Sequence, residues 1–102
     1  MQNKVYNSEE IKDILRPIFM TNPVYQAILF GSYANGLATP KSDIDIVIDS
    51  RGELLNINFY GLLEDLSEIL NKDIDLFEIS EIKKDSLLYQ KIQQEGIILY
   101  AK

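Results

Sequence analysis

The chain has 102 residues, and 10 Lys and Arg against 16 Asp and Glu give it a formal net charge of −6 at neutral pH. That length suits a single domain, 1–102, with one modest core and no room for a second substrate-binding domain. The acidity argues against direct nucleic-acid binding and for bound cations or a basic partner protein, while the absence of Cys and His excludes disulfides, thiolate or imidazole metal sites and Ser-His nucleophilic catalysis.

The opening "MQNKVYNSEE" is polar and lacks the apolar region of a signal peptide, and no run is long enough to span a membrane, so a cytoplasmic protein is the expectation. "NSEEIKDILRPIFM" predicts a first helix: Asn7 or Ser8 caps it, Glu9 and Glu10 suit its positive end, and Ile11, Ile14, Leu15 and Ile18 recur at helical spacing. Pro17 is expected to end or kink it. "AILF", Ala27 to Phe30, is a short apolar run stopping at Gly31, the pattern of a buried strand. "DIDIVID", Asp43 to Asp49, alternates as a second strand. Leu54 to Leu70 predicts a second long helix with Phe59, Leu62, Leu63, Leu66, Ile69 and Leu70 on its apolar face. "DIDLFEI", Asp73 to Ile79, predicts a third strand, and Asp85 to Glu95 a last helix that turns Leu88 and Ile92 inward and stops at Gly96. "IILY" predicts a fourth strand. Helices alternating with strands imply an α/β or α+β fold with a small mixed sheet.

Carboxylates are poor strand residues, so the aspartates need a compensating interaction. On a strand, positions i and i+2 share a face, which projects Asp43 and Asp45 together and Ile44, Ile46 and Ile48 into the core. Two carboxylates side by side repel, and one tends to keep a proton unless a divalent cation lies between them. Hard oxygen ligands favour Mg²⁺ or Mn²⁺, and a two-metal site needs ions about 3.5–4 Å apart, a spacing paired aspartates can bracket. Asp75 is the expected third acid, with Asp73 of the same parity ranked second. With no His, a carboxylate is the expected proton acceptor for an attacking hydroxyl. Gly31 allows close approach of backbone to a ligand, and Ser32 with nearby N–H groups can donate to phosphate oxygens if "YANGLA" opens a helical turn. A lone Asp-x-Asp usually marks a solvated sheet face, and a lone Gly-Ser a turn; their combination carries the chemistry. A P-loop is excluded because Leu37 and Ala38 stand where Lys and a hydroxyl are needed, and an EF-hand because Val47 breaks the ligand series.

The combined pattern, Gly31-Ser32, ten residues, Asp43-Ile44-Asp45 within "GSYANGLATPKSDIDIVID", resembles the signature of the DNA polymerase beta-like nucleotidyltransferase superfamily. It is most similar to the small prokaryotic members, the minimal nucleotidyltransferases, from about Ala27 to Ile79, and the closing "EGIILY" suits them. The resemblance implies a mixed sheet flanked by helices, Asp43 and Asp45 as ligands of two Mg²⁺ ions, Asp75 as third acid, and Ser32 on the triphosphate with support from the Gly31 backbone. It implies transfer of a nucleoside monophosphate to an acceptor hydroxyl with release of pyrophosphate. Proteins of this kind pair with a HEPN ribonuclease toxin as its antitoxin, and some use ATP to adenylylate a tyrosine of that partner. Two other roles fit the same residues: a silent binding module that occludes its partner, and a small-molecule nucleotidyltransferase of the aminoglycoside kind, completed by homodimerisation. One departure stands out. Asn35 occupies the position where such proteins carry Arg; it is either a turn residue or a lost charge that Lys41, itself a typical surface Lys, could replace.

Overall fold

The computed structural model describes residues 4–102. Helix α1 (Ser8–Met20) starts at Asn7, whose side chain accepts from the Glu10 N–H while Glu10 accepts from the Asn7 N–H, a reciprocal capping box. It runs through Pro17 to Met20 instead of ending there. Pro17 and Asp13, whose carbonyl it cannot pair, both lie on the exposed side, where that carbonyl is open to solvent instead of being buried without a partner. The inner side buries Ile11, Leu15 and Phe19.

Strand β1 (Gln26–Phe30) leads into a single helical turn, α2 (Ser32–Asn35), and a loop returns the chain as β2 (Ile44–Asp49). Helix α3 (Ile57–Leu70) is shorter at its start than expected, leaving Leu54 and Leu55 in the preceding loop. It buries Leu62, Leu66 and Leu70, half-buries Phe59 and Leu63, and leaves the expected core residue Ile69 exposed. Then come β3 (Ile74–Glu78), α4 (Leu87–Glu95) capped by Ser86, and β4 (Ile97–Ala101).

The strands form one mixed sheet in the order β3-β2-β1-β4. β1 is antiparallel to both β2 and β4, and β2 is parallel to β3. Helices cover both faces. Against α1 and α3 pack Ala27, Leu29, Ile44, Ile46, Ile48, Ile74 and Leu99. Against α4 lies a smaller cluster of Phe30, Val47 and Ile92, with Ile28, Phe77 and Leu88 at its margin. Each fully buried Leu or Ile contributes about 1.5–3 kcal/mol of burial, so the larger cluster dominates stability. The smaller one leaves part of its face open, and the aspartates lie there.

One buried polar contact joins the far ends of β2 and β3. Glu78 accepts from the Ser50 N–H at 3.2 and 3.3 Å and from the Ser50 hydroxyl, and the same hydroxyl accepts from the Leu54 N–H at 3.3 Å. Ser50 is fully buried and Glu78 nearly so. Glu78→Ala leaves these donors without a partner and is expected to cost about 2–3 kcal/mol, read as a lower urea midpoint with an unchanged slope.

Candidate active site

The site is set by strand register. β2 and β3 run parallel with Asp45 directly opposite Asp75, and β1 places Phe30 on the other side of Asp45. All three side chains therefore face α4. The Phe30 and Phe77 rings meet across β2 at 5.8 Å, giving the carboxylates an apolar floor. Burial is the largest influence on Asp45 and pushes its carboxyl up to about 6; a hydrogen bond with Asp75 and the negative charges of Asp75 and Asp43 add to this, and the positive charge of Lys91 offsets part of it. Of the two aspartates expected to share a proton, Asp45 is the one whose proton affinity is raised, and the group acting on it most directly is Asp75 on the neighbouring strand.

Asp43 lies just outside β2, exposed, and acts on Asp45 through its charge. Among the described residues no three carboxylates stand close enough to enclose a cation as they are. Asp73 precedes β3; its backbone carbonyl accepts from the Ile44 N–H at 3.0 Å, and with Asp43 it borders a hollow of about 550 Å³ between the 40–43 loop and the end of α3. Asp49 has the right parity but sits at the far end of β2, where its carboxylate accepts from the Arg51 N–H at 2.9 Å.

Gly31 forms the rim. It caps α2 with φ 73° and ψ −153°, a conformation that side chains avoid. A Cβ there would lie 2.2 Å from Asp45 Oδ2, so only glycine lets the turn close over this carboxylate. The Gly31 carbonyl accepts from the N–H groups of Ala34 and Asn35 at 3.0 and 3.1 Å, which leaves those of Ser32 and Tyr33 outside the turn's own bonds. Ser32 begins α2 and borders a separate hollow of about 350 Å³ that also includes Tyr33. Asn35 is exposed, and its side chain accepts from the Leu37 N–H at 3.0 Å, the work of a turn residue. Lys41 borders the hollow beyond Asp43 and is not among the charges that act on Asp45. The cation that does act there is Lys91, which sequence reasoning missed.

The donor set contains carboxylate oxygens and no nitrogen or sulfur, which suits a hard divalent cation. The repelling pair Asp45 and Asp75, with Asp43 nearby, supplies the negative charge that such an ion neutralises.

Residues 8–99 match the family model described as "Nucleotidyltransferase domain". The Methanocaldococcus jannaschii protein named "Putative protein adenylyltransferase MJ0435" is 34% identical over 92 residues, covering 89% of this chain and 96% of its own length. "Protein adenylyltransferase MntA" of Shewanella oneidensis is 34% identical over 68 residues, which cover 67% of this chain and 48% of that protein. Among solved structures, a toxin-antitoxin crystal structure with AMP-PNP superposes with a TM-score of 0.73 at 29% identity, covering 95% of this chain and 75% of the other. The mixed sheet and its flanking helices are those expected from the sequence. Among the described residues no helix is long and apolar enough to cross a membrane.

Proposed function

Because the chain belongs to the nucleotidyltransferase domain family, we propose that it transfers AMP from ATP to a hydroxyl, a tyrosine's, on a protein toxin paired with it, a HEPN ribonuclease, and so neutralises that toxin. The observation that carries the reading is the Asp45–Asp75 pair under a glycine rim that no other residue could form. A protein acceptor is supported by the relatives named as protein adenylyltransferases, and ATP and a toxin by the similar fold found in a toxin-antitoxin complex with AMP-PNP. A reaction that consumes ATP fits the cytoplasm.

The chemistry needs placement and charge stabilisation more than covalent help from the protein. Two Mg²⁺ ions, held by Asp43, Asp45 and Asp75, would supply neutralisation of the triphosphate and a lowered pKa for the acceptor hydroxyl. Gly31 lets the triphosphate approach the backbone, and the Ser32 hydroxyl and N–H donate to its oxygens. The acceptor oxygen bonds to the α-phosphorus as the bond to the bridging oxygen breaks. Pyrophosphate leaves with that electron pair. Asp75 takes the hydroxyl proton. The toxin supplies the remaining wall.

Incubation with α-labelled ATP, Mg²⁺ and the toxin is expected to put label on the toxin and to abolish its ribonuclease activity. A stable complex that silences the toxin without label would replace this reading with occlusion. Label on an aminoglycoside in the absence of any protein partner would replace it with small-molecule transfer.

A further inference from the structure

Helix α4 crosses the face of the sheet that carries the acids. Its residue Ile92 is buried against Phe30 and Val47, the side chains that share a face with Asp45. Gly96, at the end of α4, has an ordinary φ of −65°, so its lack of a side chain is a matter of space. A Cβ would lie 2.4 Å from the Ile92 carbonyl oxygen and 2.6 Å from Ile28 Cγ2. Lys91 precedes Ile92 on this anchored helix. It is exposed and makes no hydrogen bond or ion pair among the described residues, yet its charge reaches Asp45.

A bound triphosphate brings several negative charges to a site that already holds Asp43, Asp45 and Asp75, in a chain of net charge −6. Cations of the protein are scarce here. Asn35 carries no charge and is engaged in its own turn, and Lys41 lies beyond Asp43. Lys72 donates to the Pro40 carbonyl at 3.0 Å. Lys91 is unengaged, and its neighbour Ile92 packs on Phe30, which pairs with Asp45 across β1 and β2.

We propose that Lys91 is the chain's own cation for the nucleotide: its ammonium, carried on α4 over the acid-bearing face, contacts the β- and γ-phosphate oxygens of the bound triphosphate. The assignment rests on the nucleotidyl-transfer reading above. It makes Lys91 part of the substrate site, where it holds the leaving pyrophosphate in line. A long, flexible side chain suits that task, because its ammonium can follow the phosphates from a helix packed on the same face as the acids.

The test compares Mg²⁺-ATP and AMP binding by calorimetry in the wild type, Lys91→Met, Lys91→Arg and Lys12→Met. The last removes the same charge from α1, on the opposite side of the sheet. Lys91→Met is expected to weaken ATP on the order of tenfold or more while leaving AMP within twofold. Lys91→Arg restores most of the loss, and Lys12→Met matches the wild type. Equal ATP affinity in Lys91→Met and wild type overturns the assignment alone and leaves the transferase reading standing. Equal weakening of ATP and AMP also overturns it, since the loss then does not belong to the outer phosphates. A wild-type chain that binds no nucleotide with Mg²⁺ overturns both.

Discussion

Asp45→Asn is expected to abolish AMP transfer, by about a thousandfold or more, and at the same time to make the chain more stable at pH 8. The two effects have one cause. The folded chain holds the Asp45 carboxyl at about 6, where burial, Asp75 and Asp43 disfavour its charge and Lys91 only partly offsets them. An unfolded Asp titrates near 3.9. Between those values the folded state binds more protons than the unfolded one, so stability falls as the pH climbs from about 4 to about 6 and remains lower above. A shift of about two units corresponds to about 3 kcal/mol at most. Asp45 is only half-buried, and solvent screening reduces this to about 1 kcal/mol. Asn cannot ionise, and its amide can still donate to Asp75. The variant should therefore match the wild type in urea midpoint near pH 4 and exceed it at pH 8. Mg²⁺ should raise the wild-type midpoint and leave the variant's unchanged. Asp43→Asn, at an exposed position, should lose transfer with little change in stability. A variant that lost both activity and stability at pH 8 would make Asp45 a structural residue. Full transfer in both folded variants would remove the aspartates from the chemistry.

Much of this site was legible because strands have a period of two. The alternation in "DIDIVID" and "DIDLFEI" put the isoleucines on one face and the aspartates on the other before any partner strand was known. The structure keeps that division, with Ile44, Ile46, Ile48 and Ile74 in the main core. Preference for Asp75 over Asp73 came from position along the strand, and the parallel register sets Asp75 opposite Asp45. Residues whose role depends on pairing across the chain were not legible. Glu78 reads as an ordinary solvated carboxylate at a strand end; what buries it is Ser50, 28 positions away. Lys91 reads as one surface lysine among several. Only the packing of α4 on the face that carries the acids puts it on their side of the sheet, and no local pattern encodes that packing. Pro17 misled for a related reason: a proline breaks a helix interior, but on an exposed side the carbonyl it leaves unpaired is open to solvent.

The core-packing pattern also explains why so small a chain can hold repelling charges. The acids occupy the face with the lesser cluster, while the larger cluster behind them, built by α1 and α3, is independent of their charge state. Stability and chemistry are thereby divided between the two faces of one sheet. Substitutions at the acids should leave the fold intact, and truncations such as Leu66→Ala, at about 2–5 kcal/mol, should weaken the fold without changing the chemistry of the molecules that remain folded.

Gly31→Ala is expected to cost about 2–3 kcal/mol of stability and on the order of a hundredfold in transfer, and the two losses can be separated. The backbone at this position, φ 73° and ψ −153°, is a region that only glycine occupies freely. The new methyl group would in addition lie 2.2 Å from Asp45 Oδ2. A free carboxylate could rotate away, but this one is engaged with Asp75, so relief of the clash breaks the acid pair or lifts the turn off it. Gly36→Ala is the control. Gly36 also has a positive φ, 82°, with nothing within 4 Å of the position a Cβ would take. It should show the backbone cost alone, about 1 kcal/mol, with transfer retained. A double-mutant cycle then isolates the contact. If the methyl and the carboxylate collide, Gly31→Ala should be less damaging to stability in an Asp45→Ala background than in the wild type, by about 1 kcal/mol or more. Additive losses would mean that the glycine serves only the turn, and that its closeness to Asp45 plays no part in shaping the site.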